Sequence, residues 1–317
     1  MMGYYRSYSQ YLRERFGCRV YRVCLDGGFT CPNRDGTYGT GGCTYCSEEG
    51  SWGERKGPSG GTPPSLEDQV AREIGRVRKR YGAERFTAYF QAYSGTYAPV
   101  DRLKELYDRA LSMSGDFVGL AIGTRPDCVD GEKLDMIAGY IESGLDVWIE
   151  YGLQSANDST LDAVNRGHTV EDFVDAVRET KNRGIKVMAH VIIGLPGEGK
   201  SHVLRTAYLL AGLRVEGVKI HNLNILRNTP MAMLYEQGGV RPLSLEAYAD
   251  LVVDFLERIP RRTVIGRVSA DAHHSVLIEP RWSLNKQEIL RVIDDNFRRR
   301  STRQGRLCRE ESVGIRE

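Results

Sequence analysis

The chain has 317 residues, 44 of them basic and 42 acidic for a formal net charge of +2, with 41% hydrophobic and 27% charged side chains. That length suits one large barrel or two smaller domains, and the composition is ordinary for a soluble globular protein. No apolar run approaches a membrane span, and the opening MMGYYRSYSQYLRERFG has neither the apolar core of a secretory signal nor a myristoylation start, so the expected location is cytoplasmic, with no membrane partner. Cysteines are reduced there, which makes a Cys motif a matter of metal or redox chemistry and not of disulfides.

Taken in order, the opening segment places Tyr5, Tyr8, Leu12 and Phe16 at helical spacing and ends at Gly17. Arg19–Leu25 reads as a strand rich in Val and Tyr. A glycine-rich loop with three cysteines follows, and then a Gly/Pro-rich stretch, Ser47–Pro64, expected to be mobile. A helix starts at Ser65, with Asp68 three residues on, and stops at Gly82. Strands are expected at Phe86–Tyr93, Phe117–Thr124, Val147–Gln154, Lys186–Leu195 and Val218–Leu226. Helices are expected at Pro99–Met113, Asp130–Ser143, Asp158–Asn165, Thr169–Arg183, Lys200–Val215, Met231–Gln237 and Ser244–Ile259. After Ile259 come one or two short strands and a helix from near Ser283.

Strand and helix thus alternate six times, the pattern of βαβ crossovers in a parallel sheet. The expected fold is α/β: a partial (βα)6 TIM-like barrel with a small C-terminal α+β module. An open doubly wound sheet fits less well, because the first strand–helix turn is a cysteine loop and not a phosphate loop. The domain reading is a helix over 1–17, a core over 18–260, a module over 261–300 and a basic, disordered tail over 301–317. In such barrels the active-site residues come from the C-terminal ends of strands. Polar residues collect there: Gln91, Tyr93 and Ser94; Thr124, Arg125 and Asp127; Glu150 and Gln154; His190; Lys219, His221 and Asn222.

The cysteine loop, CPNRDGTYGTGGCTYC, spaces Cys31, Cys43 and Cys46 as C-x11-C-x2-C. Three thiolates can hold three irons of a [4Fe–4S] cluster, leaving one iron open to a small molecule with an amine and a carboxylate. Glycines let the backbone wrap a bulky group closely. The plainer reading is a zinc knuckle completed by Cys18, Cys24 or His168.

The loop resembles that of the radical S-adenosylmethionine (SAM) superfamily, with Tyr45 in the aromatic place before the last Cys. The long first spacing is similar to the branch containing the catalytic subunit of Elongator, and the run LDGGFTCPNRDGT…GGCTYC, Leu25 to Cys46, resembles the bacterial YhcC/YtqA group more closely still. GTRPDCV at Gly123–Val129, EYGLQSANDSTLDAVNRGHT at Glu150–Thr169, HVIIGLPGE at His190–Glu198 and VKIHNLNILRNTPM at Val218–Met231 continue the likeness.

That resemblance implies an enzyme with two cofactors, a [4Fe–4S] cluster and SAM, in which an electron from an external flavodoxin- or ferredoxin-type donor cleaves SAM to methionine and a 5′-deoxyadenosyl radical. It implies that Cys31, Cys43 and Cys46 ligate the cluster and that Tyr45 packs by the adenine. Ser94 and Gly95 would approach the SAM amino group, and Glu150 and Gln154 would bond its ribose or amino group. Arg166 would face its carboxylate, and Gly194 and Leu195 would line the adenine. Lys219 and His221, at alternate positions of one strand and so on one face, are the candidates for handling substrate. Each has a bland alternative: Tyr45 and Leu195 as core, Gln154 as a helix cap, Arg166 paired with Asp162, Lys219 snorkelling at the rim. Cys18, Cys24, Cys128 and Cys308 read as small hydrophobes, and His273 and His274 as surface or packing residues.

Three functions stay open at this point. The first is a radical SAM enzyme acting on a tRNA base, suggested by the Elongator-like motifs and by two basic clusters: Arg76, Arg78, Lys79 and Arg80, and Arg298, Arg299, Arg300, Arg303, Arg306 and Arg309. The second is the same chemistry on a small molecule or protein. The third is a non-catalytic metal-binding RNA scaffold. Nothing after Ile259 resembles Elongator's acetyltransferase domain, so its carboxymethylation chemistry is not expected.

Overall fold

The computed structural model describes residues 3–47 and 64–308. Helix α1 (Tyr8–Phe16) leads into β1 (Val20–Leu25). Then follow α2 (Leu66–Tyr81), β2 (Arg85–Phe90), α3 (Val100–Ser112), β3 (Phe117–Thr124), α4 (Gly131–Glu142) and β4 (Asp146–Gln154). After α5 (Asp158–Ala163) and α6 (Val170–Asn182) come β5 (Lys186–Ile193), α7 (Lys200–Gly212) and β6 (Gly217–Asn222). The chain continues through β7 (Ile225–Leu226), α8 (Pro230–Glu236), α9 (Leu245–Leu256), β8 (Val264–Arg267), β9 (Leu277–Glu279) and α10 (Lys286–Arg299).

Strands β1 to β6 pair parallel in chain order, and β8 adds a seventh parallel strand beside β6. The fold is thus the expected partial TIM-like barrel, one strand longer than the alternation counted: the first strand after Ile259 extends the sheet. Strands β7 and β9 make a small antiparallel pair beside it.

Period-two alternation sorts the side chains between two cores. Phe86, Phe90, Ile149, Tyr151, Val187, Val218 and Ile220 face the helices in the main core. Tyr89, Ala121, Trp148 and Met188 make a separate inner cluster, in which Tyr8, Tyr11 and Cys24 pack. Glu150 and His190 follow Trp148 and Met188 at two-residue steps and therefore share that inner face, as do Lys219 and His221 of β6. Helix α1 closes the N-terminal mouth. The rings of Tyr8 and Tyr11 meet Trp148 edge-on at 5.9 and 5.5 Å, the Tyr11 hydroxyl donates to Asp146 at 2.8 Å, and Ser7 bridges to Ile265 of β8.

Local chemistry sets the boundaries. Ser65 Oγ accepts from Asp68 N, and Gly82 ends α2 in the left-handed region. The strand expected over Phe86–Tyr93 stops at Phe90, because Tyr93 turns to φ 55°. The strand expected over Val218–Leu226 breaks after Asn222, whose side chain donates to Asn224 Oδ1 at 2.7 Å. The tail expected to be disordered from 301 is packed as far as Cys308: Gln304 donates to Pro260 O and Thr263 O at 2.7 and 2.8 Å. Residues 309–317 and 48–63 lie outside the described residues, and with them Arg309 and nearly all of the loop expected to be mobile.

Thr169 and Asp172 cap α6 reciprocally: Thr169 Oγ1 accepts from Asp172 N at 3.1 Å and Asp172 Oδ2 from Thr169 N at 2.7 Å. Thr169→Ala is expected to lower stability by about 1 kcal/mol, read as a shift in the urea midpoint, while Thr169→Ser keeps most of it. Equal loss in both variants removes the cap from the explanation.

Candidate functional site

Loop 26–47 leaves the C-terminal end of β1 and folds back over the sheet. Two asparagines hold it. Asn33 Nδ2 donates to Asn165 O at 2.6 Å, and Asn165 Nδ2 donates to Gly42 O at 2.8 Å. Backbone bonds from Thr44 N to Val164 O at 3.0 Å and from Met231 N to Thr44 O at 2.9 Å finish the anchoring.

So placed, Cys31, Cys43 and Cys46 line one cavity of about 230 Å³, together with Tyr45, Ser94, Gln154, Arg166 and His221. Two non-glycine residues on its wall have left-handed backbone, Tyr93 at φ 55° and Gln154 at φ 74°, and such strain collects at functional sites.

Arginines attend the thiols. Arg166 Nη1 lies 3.5 Å from Cys43 Sγ, while Nη2 and Nε donate to Gly152 O at 2.7 and 3.2 Å. The pairing with Asp162 does not occur; Arg166 is buried. Burial pushes the Cys43 thiol up, but the charge and hydrogen bond of Arg166, with Tyr45 and Arg125, together outweigh it and the net shift is down. Cys46 shifts the other way, raised by burial and by the Cys43 charge against the pull of Arg34. Arg125 fixes the backbone of Arg166 by donating to its carbonyl at 2.9 Å and is itself forked onto Asp127 at 2.8 and 2.6 Å. Gly152 is required here: a β-carbon on it would lie 2.6 Å from Gln154 Nε2 and 2.8 Å from Arg166 Nη2.

On the cavity floor Glu150 gathers charge. Its Oε2 accepts from Tyr89 Oη at 2.7 Å, meets His190 Nε2 at 2.9 Å and is bonded by Lys219 Nζ. Arg22 Nη2 stands 2.6 Å from Oε1 as an ion pair without hydrogen-bond alignment. Burial alone would raise the Glu150 carboxyl; Arg22 and Lys219 hold it well below the usual range. Lys219 is fully buried and sits behind the floor, not among the lining residues; burial and Arg22 push its amine well below the usual lysine range.

Of the residues named from sequence, Gly95, Gly194, Leu195 and Lys219 do not line this cavity. Gly95 lets β2 approach β3, its N–H donating to Gly123 O at 2.8 Å, and Leu195 belongs to the apolar cluster against which Tyr45 packs. Glu150, His190 and Lys219 lie within their strands, not at the ends. Arg22, Tyr89, Asn33, Asn165, Gly152, Arg34 and Arg125 were not assigned roles in the site, although all but Arg22 and Tyr89 fall in the motifs quoted. Arg22 and Tyr89 carried the alternation signal of inward-facing strand positions.

The donor set suits a cluster better than a single ion. Among the described residues no three His, Cys, Asp or Glu side chains converge to hold one metal ion. His168, one of the three residues offered as a fourth zinc ligand beside Cys18 and Cys24, has both ring nitrogens at carbonyls, Gly152 O and Thr169 O, each at 3.0 Å. In an iron–sulfur cluster each thiolate binds its own iron, and the three cysteines line one cavity. Ser94 Oγ and His221 Nε2 on its wall are buried with no hydrogen-bond partner, as expected of groups awaiting a ligand.

Acid should weaken the protein through two histidines. Burial and Lys219 push His190 down to about 4 from 6.5, and burial and Arg166 do the same to His168. Both are neutral in the folded chain, so the unfolded chain takes up more protons as pH falls from 6.5 towards 4. Urea midpoints should hold steady above about pH 7 and fall between about pH 6.5 and 4.5, less steeply in His190→Gln. A midpoint unchanged across that window contradicts the neutral assignment.

The family described as the Radical SAM superfamily matches residues 34–210, and the Radical_SAM C-terminal domain matches residues 215–299. The chain is 39% identical to protein YtqA of Bacillus subtilis over 96% of its length and 92% of that protein. It is 38% identical to protein YhcC of Escherichia coli over 87% of its length and 86% of that protein. Its fold is like that of the archaeal Methanocaldococcus infernus Elp3, with a TM-score of 0.69 at 17% identity over 90% of this chain and 64% of that one.

Proposed function

Because the chain belongs to the radical SAM superfamily, we propose that Cys31, Cys43 and Cys46 hold a [4Fe–4S] cluster, that the adjoining cavity receives SAM, and that the substrate is a tRNA base. The family's cofactors are that cluster and SAM. Bound together, they supply one-electron cleavage of the sulfonium C–S bond. The observation that supports the reading most is that three thiols of one loop share a cavity wall with unpartnered Ser94 and His221.

The side chains then have distinct tasks. Arg166 steadies the Cys43 thiolate and puts positive charge where a carboxylate would rest. Ser94 and Gln154 offer hydrogen bonds to the amino-acid or ribose end of SAM, and Tyr45, backed by Leu195, offers a flat apolar surface. Glu150 fixes the floor, setting His190 and, beside it at 5.3 Å between ring centroids, His221. His221, held neutral by burial and the Arg267 charge, can exchange a hydrogen bond with substrate. The electron comes from an external donor.

The tRNA reading rests on the Elongator-like motifs and on basic surface. Part of that surface is neutralised: Arg298, Arg299 and Arg300 pair with Asp295, Asp250 and Asp254, and Arg78 pairs with Asp116. Anaerobic cluster reconstitution followed by a SAM-cleavage assay tests the whole. 5′-Deoxyadenosine should form, and bulk tRNA from a strain lacking the gene should stimulate it. Stimulation by a metabolite pool but not by RNA moves the substrate to a small molecule; a colourless protein with zinc and no iron removes the enzymatic reading.

A further inference from the structure

An open sheet leaves two unpaired edges, here β1 and β8. Beside that seam Ser7 bridges to Ile265 of β8, and Ile265 N donates to Arg6 O at 2.8 Å. Beside the bridge the seam opens as a groove of about 990 Å³, walled by the edges of β1 and β8 and by α1, α2 and α10. This lies at the upper limit of small-ligand cavities.

The lining is one-signed. Arg13, Arg19, Arg76, Arg80, Arg267 and Lys286 stand along it with Arg22 at its inner end, and no Asp or Glu is among the described lining residues. Arg76 pairs with Glu73 at 2.9 Å, Arg22 with Glu150, and Lys286 approaches Asp271 at 3.6 Å. Arg13, Arg80 and Arg267 have no carboxylate partner among the described residues. Tyr21 and Tyr81 stack on the same wall, ring centroids 4.7 Å apart and 8° from parallel. Arg267 lines this groove and also the cysteine-bearing cavity, so the two spaces meet at one guanidinium.

We propose that the seam is a binding groove for a single-stranded polynucleotide, its phosphates along Arg13, Arg80 and Lys286 and a base on the Tyr21–Tyr81 pair, with Arg267 at the passage to the reaction cavity. Cationic grooves lined with aromatic rings take single strands because every base has a face to stack and every nucleotide a phosphate to neutralise. The proposal rests on the reading above for what happens beyond Arg267; strand binding itself does not.

The test is fluorescence anisotropy of a labelled single-stranded RNA of roughly a dozen nucleotides on the reconstituted full chain. Affinity should fall with salt by a log–log slope of about −0.7 for each phosphate engaged. The combined Arg13→Glu, Arg80→Glu, Lys286→Glu variant should bind at least about tenfold more weakly with a shallower slope, and Tyr81→Ala about tenfold more weakly with the slope kept. Arg102→Glu, a reversal outside the groove, should change neither, and melting curves check that each variant folds. No strand binding by the native chain, equal losses in Arg102→Glu, duplex bound as tightly as single strand, or displacement by micromolar pyrophosphate each overturn the groove. 5′-Deoxyadenosine is measured in parallel. SAM cleavage without strand binding sinks this proposal alone, and strand binding without SAM cleavage sinks the enzymatic reading alone.

Discussion

Cys43→Ala is expected to fold, to take up little iron on anaerobic reconstitution, and to show no broad iron–sulfur absorbance. SAM cleavage should drop by at least about two orders of magnitude, more than the 10–100-fold typical of losing a group behind a ligand. Cys43 is the strongest of the three for this test, because it is buried and has Arg166 Nη1 at 3.5 Å. Its removal leaves that guanidinium bonded to Gly152 O, so the wall should keep its shape and the loss should report ligation. Cys31→Ala and Cys46→Ala should behave alike. Cys18→Ser, which alters a thiol in the seam, should keep full iron. Native iron content in Cys43→Ala, or equal loss in Cys18→Ser, contradicts the assignment.

Glu150→Ala should be the most destabilising single change in the site, by about 3–5 kcal/mol, the usual cost of removing one partner of a buried ion pair. It leaves Arg22 and Lys219 inside the barrel with no counter-charge and takes the acceptor from Tyr89 and His190. Lys219→Met should cost less, since Glu150 keeps Arg22. The double variant should be more stable than the sum of the two losses implies, because Lys219 is then no longer left as a buried charge without Glu150, although Arg22 still is. Urea unfolding of the four proteins completes the cycle. Additive losses, or a Glu150→Ala loss below about 1 kcal/mol, show that the charges were solvated after all.

Much of this was legible beforehand, for definite reasons. Repeated strand and helix periods announced a parallel sheet, and Ser65, Thr169, Gly82 and Gly184 marked helix ends through their own chemistry. The cysteine spacing marked one wall of the cavity. What escaped depends on three dimensions. Nothing local says that the segment after Ile259 will pair with β6, because that register is set by neighbours 47 or 48 residues earlier. Nor does sequence tell that Lys219 will lie under the floor instead of at the rim; a lysine in a strand reads as a polar end until Glu150, 69 residues before it, is seen bonding it. The basic cluster misled in part for the same reason, Arg299 and Arg300 being paired with Asp250 and Asp254 of α9.

The seal formed by α1 bears on how the chain is made. This helix is made before β4 and β8, yet it docks on Trp148 and Asp146 of β4 and, through Ser7, on Ile265 of β8. Chains fold from the N-terminal end during synthesis, but contacts this far apart in sequence must wait for their partners. The bottom of the barrel therefore stays uncorked until translation has passed residue 265.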